Sequence, residues 1–489
     1  MSCFHVQNFG CRATQADGAS LERQFEQLGL SRAPSDLADF IVLNTCTVTA
    51  AADRDARAAI RRIRRQNPAA KVIVTGCYAQ RAPGEVAALP GVSAVIGNSH
   101  KHRLAEIALA DGQFGPRDPG AAESLPFVPL SALIGDRKPG DESITGTAVF
   151  VSDIFAHTEL LAAPVFESSS FAAERTRPNL KVQDGCDNRC SFCVIPSVRG
   201  HSRSLSLDRI LEEVRALVSA GYHELVLSGI NLGRWGRDLD GGPQDPSRAL
   251  PSLIRAILAE TSLQKLRISS VEPMDWSDEL ISLVASSSRI AKHAHVPLQS
   301  GSDTVLRRMH RKYRPWHYRG KIEKIHAAMP IAAIGADVMI GFPGETDAEF
   351  EQTRRLIEDL PFTYLHVFTY SARPGTPAAS MPNQVPASVA RERSRTLREL
   401  SAAKHAAFLH SFVGKNLDAI TLGKTRSETD GESTEALTDN FLKLSLRGMH
   451  APNCWISARI ESSSQESLAG TITEAVRRPI EAVEASFAG

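Results

Sequence analysis

Three cysteines lie close together in the middle of the chain, within the segment 184-DGCDNRCSFC-193. Cys186, Cys190 and Cys193 have the spacing C-x3-C-x2-C. Such spacing lets three thiolates bind one metal centre, and thiolates are the usual ligands of iron–sulfur clusters. Three ligands on a [4Fe–4S] cluster leave one iron open, as a catalytic metal site requires. The alternative is a zinc site, for which the loop lacks a fourth cysteine and His201 is the nearest further candidate ligand.

Three other cysteines are spread over the N-terminal part of the chain. Cys11, Cys46 and Cys77 each follow a run of residues that is typical of a buried strand. The three runs are Phe4–Phe9, Phe40–Asn44 and Val72–Thr75. Ligand sites of open α/β sheets form at the carboxyl ends of the strands, and neighbouring strands lie about 4.8 Å apart. The three thiols are therefore predicted to share a second cluster, the alternative being three unrelated buried cysteines.

Length and composition limit the class of protein that carries these cysteines. The chain has 489 residues, a net charge of +1, 42% hydrophobic and 23% charged residues, which is ordinary for a globular protein of several domains. It shows no apolar run of membrane-spanning length and no secretory signal at its N-terminus. We therefore expect a cytoplasmic protein without a membrane partner. Cys3 and Cys454 are interpreted as ordinary core or surface cysteines.

Strand-like and helix-like runs alternate through residues 1–110. A fourth strand is predicted at Val92–Ile96, and helices are predicted at 17–28, 50–66 and 100–110. This alternation predicts a doubly wound parallel sheet domain over 1–110. Residues 111–175 are rich in Gly, Pro, Ser and Asp and are predicted to be a connector. Its apolar pieces, Ala148–Val151 and Leu160–Val165, suggest one strand and one short helix.

Six further strand–helix units follow, and a different pattern ends the chain. The six strands are predicted at Leu180–Gln183, Leu225–Leu227, Leu266–Ser269, Ala294–Pro297, Ala336–Ile340 and Leu365–Thr369. Helices such as Leu207–Ser219 and Glu349–Leu360 separate them, which predicts a partial (β/α)6 barrel over 176–410 that ends in a helix at 386–410. From 411 to 489, alternating runs such as 442–447 and Cys454–Ile460 predict a small antiparallel β-barrel.

The compact cysteine motif resembles that of the radical S-adenosylmethionine superfamily. Phe192 supplies the aromatic residue of C-x3-C-x-Φ-C, and the motif follows the first strand of the predicted partial barrel. The resemblance implies a [4Fe–4S] cluster whose open iron binds S-adenosylmethionine and cleaves it reductively to a 5′-deoxyadenosyl radical. It also makes several residues at strand ends candidates for cofactor contacts, although any of them could instead only form a turn. These candidates are Phe192, Gly229, Glu272, Gln299, Gly341 and Phe342.

The dispersed cysteine motifs resemble those of the methylthiotransferase family. GC at 10–11, NTC at 44–46 and TGCYAQ at 75–80 carry this similarity. It implies that Cys11, Cys46 and Cys77 bind a second, auxiliary [4Fe–4S] cluster, which supplies or carries the methylthio sulfur. It further implies a C-terminal TRAM domain that binds RNA and an electron donor such as a flavodoxin or ferredoxin.

Several short motifs resemble one branch of this family, the MtaB-type branch. They are NTCTVT, RQNP at 65–68, VTGCYAQ and RRMHRKY at 307–313, whereas Thr14 stands where that branch usually has Asn. The resemblance implies transfer of a methylthio group to C2 of N6-threonylcarbamoyladenosine next to the anticodon of tRNA (position 37). The alternatives within the family are isopentenyladenosine in tRNA and an aspartate of a ribosomal protein.

Two basic clusters and two C-terminal cations are candidate RNA contacts, because Lys and Arg attract phosphates. They are Arg61, Arg62, Arg64 and Arg65; Arg307, Arg308, Arg311 and Lys312; and Lys443 and Arg447. The alternative for each cluster is a solvated helix face. Two different classes also remain open, a non-catalytic iron–sulfur protein that senses redox state and binds RNA, and a zinc-containing RNA-binding protein.

Overall fold

The computed structural model describes residues 2–110, 147–157, 177–242, 245–428 and 431–475. The chain divides into two compact units, which are described separately below. The first unit comprises residues 1–163 with two short stretches, 185–187 and 193–201. The second comprises 164–184, 188–192 and 202–489.

A six-stranded parallel sheet forms the first unit, with the strand order β2-β1-β3-β4-β5-β6. The strands are β1 (Cys3–Asn8), β2 (Ser31–Arg32), β3 (Phe40–Thr45), β4 (Lys71–Gly76), β5 (Val92–Ile96) and β6 (Ala148–Phe150). The helices are α1 (Arg12–Gln27), α2 (Ala50–Gln66), α3 (Cys77–Arg81), α4 (Pro83–Ala87), α5 (Leu104–Ala110) and α6 (Ile195–Arg199). The predicted parallel sheet is confirmed, and the strand expected at 148–151 is its sixth. The helix expected at Leu160–Val165 lies outside the described residues.

Helices cover both faces of this sheet, because successive residues of each strand point to opposite sides. Leu43 and Val74 pack with residues of α2 in one apolar cluster. Val42 and Ile73 pack with residues of α1 and α5 in another. The central strands are therefore buried on both sides, which explains their continuous apolar sequence. Their carboxyl ends remain free to present loops.

Six parallel strands and one short antiparallel strand build the central part of the second unit. They are β7 (Asn179–Asp184), β8 (Arg203–Ser204), β9 (Glu224–Gly229), β10 (Lys265–Ile268), β11 (His293–His295), β12 (Ala333–Ile340) and β13 (Tyr364–Thr369). They form two sheets, β10-β9-β7-β8 and β11-β12-β13, and an isolated bridge between Leu266 and Ile290 links them. All six predicted strands are present. Strand β8, which pairs antiparallel to β7, was not predicted.

Seven helices follow or separate these strands. They are α7 (Leu207–Ser219), α8 (Leu250–Glu260), α9 (Asp278–Ser286), α10 (Asp303–Arg308), α11 (Pro315–Ala328), α12 (Asp347–Asp359) and α13 (Ala387–His410). Side-chain caps fix where several begin. Ser206 and Ser277 accept from the amides of Arg209 and Leu280, and Thr346 forms a capping box with Glu349.

The two faces of the six parallel strands differ sharply in polarity. Leu180, Leu225 and Leu266 belong to the large apolar core, which also contains residues of the surrounding helices. The alternate positions form the opposite face, called here the inner wall, and most are polar. The inner wall includes Lys181, Gln183, Glu224, Ser228, Lys265, Arg267, His293, His295, Asp337, Tyr364 and His366. A barrel interior lined in this way is suited to polar ligands rather than to apolar packing.

A closed barrel of five strands ends the described chain. The strands are β14 (Asn416–Glu428), β15 (Gly431–Thr438), β16 (Lys443–Arg447), β17 (Trp455–Ser463) and β18 (Leu468–Ala475). The predicted small barrel is thereby confirmed, although β16 and β18 pair in parallel. In the described part of the chain, no helix is both long and apolar enough to cross a membrane.

The turn between β15 and β16 packs against the inner wall. Arg267 donates to the backbone oxygens of Thr438 and Asp439, both at 3.4 Å. The Asp439 carboxylate lies 2.6 Å from Lys265 Nζ. The ring of Phe441 lies 4.8 Å from that of His293, centroid to centroid. The turn thus satisfies buried cations of the parallel strands, which ties the C-terminal barrel to the central one.

The first prediction concerns a buried ion pair. Arg267 Nε lies 2.7 Å from Glu224 Oε1, and the two side chains are 1% and 0% exposed. Replacing Arg267 with Met leaves a buried carboxylate without its partner, so we expect the free energy of unfolding to fall by about 3–5 kcal/mol. Arg255→Met is the control, because the Arg255–Glu279 pair is half exposed and contributes about 0–1 kcal/mol. Equal losses in urea denaturation would contradict the prediction.

Candidate functional site

The three dispersed cysteines meet at one edge of the first sheet. Strands β1, β3 and β4 are neighbours in that sheet, and Cys46 directly follows β3. Cys11 caps the start of α1, and Cys77 is the first residue of α3. Burial, together with the nearby thiols of Cys77 and Cys11, raises the pKa of Cys46 to about 12. The three thiols therefore lie near enough to interact electrostatically, at the edge where these strands end.

A glycine leaves the space that this arrangement needs. Gly10 has a φ of +105°, and a Cβ added there would lie 2.5 Å from Cys46 Cβ and 3.0 Å from Cys46 Sγ. Cys11 Sγ lies 3.6 Å from Thr14 Oγ1. Sulfur is the preferred ligand of iron–sulfur clusters, and binding of the metal ionises thiols that would otherwise stay protonated. The donor set and the space beside Gly10 therefore fit a cluster held by Cys11, Cys46 and Cys77.

Buried charges lie beside this cysteine site. The Asp17 carboxylate accepts from Lys101 Nζ at 3.1 Å and from Arg199 at 2.9 Å, and all three side chains are at most 3% exposed. Lys101 also donates to Asn44, the residue two positions before Cys46. The positive charge of Arg199 partly offsets the effect of burial on the pKa of Cys46. Sequence reasoning missed this network, because its members are far apart in the chain and each occurs in an unremarkable local context.

Helix α6 also contributes to the cysteine site. Val194 and Val198 pack against Cys77 in a small apolar cluster. Asn98 donates to the backbone oxygen of Val198 at 2.7 Å and lies 3.7 Å from Cys77 Sγ. The segment after the compact cysteine motif is thus part of the wall around Cys77.

In the second unit, Cys190 lines a pocket together with Arg311, Glu272 and other residues. Arg311 Nη1 donates to Cys190 Sγ at 3.3 Å, and the same guanidinium pairs with Glu272. Arg311 thus places a positive charge directly against the sulfur of Cys190. Arg311 was predicted to belong to an exposed RNA-binding cluster, but it is only 7% exposed. Its burial and its contact with Cys190 place it in the pocket instead.

Cys186 and Cys193 lie in the part of the loop that belongs to the first unit, and both are half-buried. The amide of Cys186 donates to Gly200 O at 3.1 Å. Gly185 has a φ of +70°, and a Cβ there would lie 1.8 Å from His201 O, so the loop closes tightly. The His201 ring contacts Asp187, with Nδ1 2.8 Å from Oδ1. All eight cysteines are described, and none forms a disulfide.

The other predicted cofactor contacts are placed as follows. Gln299 has a φ of 62°, and its Oε1 is buried without a hydrogen-bond partner among the described residues. Gly341 has a φ of 75° and donates its amide to Glu345. Phe342 is fully buried in the apolar core, so only its main chain is free to contact a ligand. Gly229 abuts Gln183, and Phe192 packs against the core.

Most of the predicted RNA-binding cations are exposed. Arg61, Arg62, Arg64 and Arg65 lie on the surface of α2, and Lys443 and Arg447 lie on the surface of β16. Lys312 is exposed, Arg307 pairs with Asp303 on its own helix, and Arg308 is half-buried and pairs with Glu349. Exposed cations are available to phosphates, whereas paired ones would have to exchange partners.

Comparison with known proteins identifies similar families and relatives. Residues 180–357 match the family described as the radical SAM superfamily, and residues 3–97 match uncharacterized protein family UPF0004. A Bacillus subtilis (strain 168) protein named threonylcarbamoyladenosine tRNA methylthiotransferase MtaB is 34% identical over 446 residues, covering 91% of this chain and 90% of that protein. A Novosphingobium aromaticivorans protein named tRNA-2-methylthio-N(6)-dimethylallyladenosine synthase is 35% identical, covering 85% and 86%.

A similar fold occurs among solved structures. The radical S-adenosylmethionine methyltransferase TsrM from Kitasatospora setae, with tryptophan substrate and a SAM analogue bound, matches with a TM-score of 0.51. The match covers 77% of this chain and 74% of TsrM at 16% sequence identity. At this identity the similarity concerns the fold alone.

Replacing Cys46 tests the N-terminal cysteine site. We expect anaerobically prepared wild-type protein to contain about eight irons and Cys46→Ala about four, because one of two [4Fe–4S] clusters loses a ligand. Iron and sulfide are measured by colorimetric assay. Cys454→Ala is the control, since Cys454 is exposed and lies in the C-terminal barrel. Unchanged iron in Cys46→Ala, or zinc in place of iron in the wild type, would contradict a second cluster.

Replacing Gly10 tests the space beside Cys46. Gly10→Ala introduces a Cβ 2.5 Å from Cys46 Cβ, so we expect iron at this site to be lost. The measurement uses protein in which Cys186, Cys190 and Cys193 are all Ala, so that only the N-terminal site contributes. Gly29→Ala is the matched control, because Gly29 also has a positive φ, +82°, but has open space around it. If both variants lost the same amount of iron, the loss would be due to backbone strain rather than to the contact with Cys46.

Proposed function

The chain belongs to the radical S-adenosylmethionine methylthiotransferase family, and on this premise we propose that it transfers a methylthio group to C2 of N6-threonylcarbamoyladenosine at position 37 of tRNA. Membership of the radical SAM superfamily implies one [4Fe–4S] cluster and S-adenosylmethionine. The observation that carries the proposal is the convergence of Cys11, Cys46 and Cys77 at neighbouring strand ends, in addition to the compact cysteine motif. A second cluster provides a place for the sulfur that the reaction transfers.

The choice of substrate rests on relatives and motifs. Proteins from Bacillus subtilis and Aquifex aeolicus that carry the threonylcarbamoyladenosine name are each 34% identical to this chain, and the match covers at least 90% of both proteins. The motifs NTCTVT and RRMHRKY favour the same branch. The relative named for dimethylallyladenosine is equally similar, at 35% identity, so that base is the alternative substrate.

In this proposal, the pocket residues prepare the cofactor for reaction. A [4Fe–4S] cluster with bound S-adenosylmethionine supplies a carbon radical, and the protein supplies orientation and charge. Arg311 donates to Cys190 Sγ and pairs with the Glu272 carboxylate, so it positions both groups at the pocket. Glu272 and Gln299 offer acceptors to the hydroxyl and amino groups of the cofactor. The polar inner wall below the pocket receives the base, and an electron donor such as a flavodoxin or ferredoxin supplies the electron.

The exposed cations give the tRNA a place to bind. Arg61, Arg62, Arg64 and Arg65 on α2 and Lys443 and Arg447 on β16 are proposed to contact phosphates. Neutralising phosphates releases counterions, so tRNA affinity is expected to fall as the salt concentration rises. The overall charge of +1 is too small for strong nonspecific attraction, so binding depends on these local groups.

Nucleoside mass spectrometry of cellular tRNA tests the proposed function. In cells that lack the protein, we expect 2-methylthio-threonylcarbamoyladenosine to disappear and its unmethylthiolated precursor to accumulate. Wild-type protein should restore the product, whereas Cys190→Ala should not, because it removes a cluster ligand. Loss of 2-methylthio-dimethylallyladenosine instead would identify the alternative substrate.

Two further results would exclude other classes. Formation of 5′-deoxyadenosine by the reduced wild-type protein distinguishes an enzyme from a redox-sensing RNA-binding protein. If all tRNA nucleosides were unchanged and an aspartate of a ribosomal protein lost its methylthio group, the tRNA assignment would be wrong.

A further inference from the structure

A cluster of polar rings lies on the inner wall, below the pocket of Cys190. Candidate ligand atoms of His295, Asp337 and His366 lie within 4.8 Å of one another. His366 Nδ1 is 3.2 Å and His295 Nε2 is 3.4 Å from the same oxygen of Asp337. Tyr364 stands beside them, with its ring centroid 5.4 Å from that of His366. These residues come from three adjacent parallel strands, β11, β12 and β13.

Strand register places this polar cluster, and a glycine makes room for it. Asp337 pairs with His366, and Gly335 pairs with Tyr364 on one side and His295 on the other. A Cβ at Gly335 would lie 2.0 Å from the Tyr364 ring, so the ring lies directly over the backbone of β12. The Tyr364 hydroxyl also forms a hydrogen bond with His293 Nε2, at 2.7 Å. Gly335 thus lets the Tyr364 ring lie against β12 beside His366.

The polar cluster is connected to the cofactor pocket through the backbone. The amide of Val271 donates to His295 O, and the next residue is Glu272. The amides of Leu298 and Gln299 both donate to Asp337 O. Thus the strands that carry His295 and Asp337 also position Glu272 and Gln299.

The charge and exposure of the polar cluster indicate what it binds. Burial would raise the pKa of Asp337, but the imidazoles of His295 and His366 beside its carboxylate hold this pKa well below its usual range. His295 is 8% exposed, and the Nε2 atom that faces Asp337 lacks a well-formed hydrogen bond. The His366 side chain is 63% exposed, so the ring edge away from Asp337 is available to a ligand. A partner with several polar atoms would complete these interactions.

We propose that His366, held by Asp337, binds the polar threonyl end of the threonylcarbamoyl substituent and selects it over a dimethylallyl group. This inference rests on the proposed function. Imidazole donates to a carboxylate when protonated and accepts from a hydroxyl when neutral, and the threonyl group offers both partners. A dimethylallyl group offers neither and would desolvate the polar side chains without compensation. A site built for hydrogen bonding rejects an analogue that lacks the bonding groups.

Binding of synthetic RNA hairpins to the anaerobic holoenzyme tests this proposal. Three anticodon hairpins carry threonylcarbamoyladenosine, dimethylallyladenosine or adenosine at the reacting position, and dissociation constants are measured by fluorescence anisotropy. We expect His366→Phe to weaken binding of the threonylcarbamoyl hairpin by about tenfold, or about 1.4 kcal/mol, relative to the adenosine hairpin. His366→Gln keeps a hydrogen-bonding group and should lose less. His317→Phe on the exposed surface of α11 is the control and should change none of the three.

The outcomes separate this inference from the proposed function. If wild-type enzyme fails to methylthiolate the threonylcarbamoyl hairpin, the proposed function is wrong. If it reacts and His366→Phe leaves the preference among hairpins unchanged, or weakens all three equally, the inference is overturned. The same three side chains could also ligate a divalent metal. The inference would also be overturned by two results together. The wild type would contain an additional metal equivalent that His366→Phe lacks, and it would require added zinc to bind the hairpin.

Discussion

Parallel strands place all their carboxyl ends at one edge of a sheet, and the candidate chemistry of this chain depends on that constraint. In the first unit it brings Cys11, Cys46 and Cys77 together although they are far apart in sequence. In the second it aligns Glu272 and Gln299 after neighbouring strands. The alternation of side chains adds a second constraint, because one face of each barrel strand packs on helices while the other forms the polar inner wall.

Much of this architecture could be predicted from the sequence, because the signals lie in short segments of the chain. The boundaries of α2 and α7 follow from apolar periodicity and from Thr49 and Ser206 as caps. Cysteines just after strand-like runs predicted the shared edge. Asp17 and Arg199, by contrast, pair across 182 positions. Arg311 belongs to a basic run of the kind that is usually exposed. Only tertiary packing directs its guanidinium inward to Cys190. Polar residues alternating with Leu and Ala, as in HAH of β11, were a usable signal of the inner wall.

Cys46 of the first unit and Cys190 of the second lie in different physical surroundings. Around Cys46, burial dominates, and the cation of Arg199 offsets part of its effect on the pKa of the thiol. Around Cys190, one guanidinium contacts the sulfur directly and is fixed by Glu272. The thiol of Cys46 is thus buried among its neighbours, whereas the sulfur of Cys190 contacts a charged donor beside a pocket.

The turn from Asp439 to Phe441 closes the lower end of the inner wall. It therefore limits how far the C-terminal barrel can act as a separate module. Small RNA-binding barrels are often regarded as portable attachments, joined to a catalytic domain by a linker. Here the barrel supplies a carboxylate, backbone oxygens and an aromatic ring to Lys265, Arg267 and His293. Truncation after α13 would therefore expose a set of charged side chains and remove their partners. The C-terminal barrel therefore cannot be exchanged for another unless the replacement brings an equivalent turn.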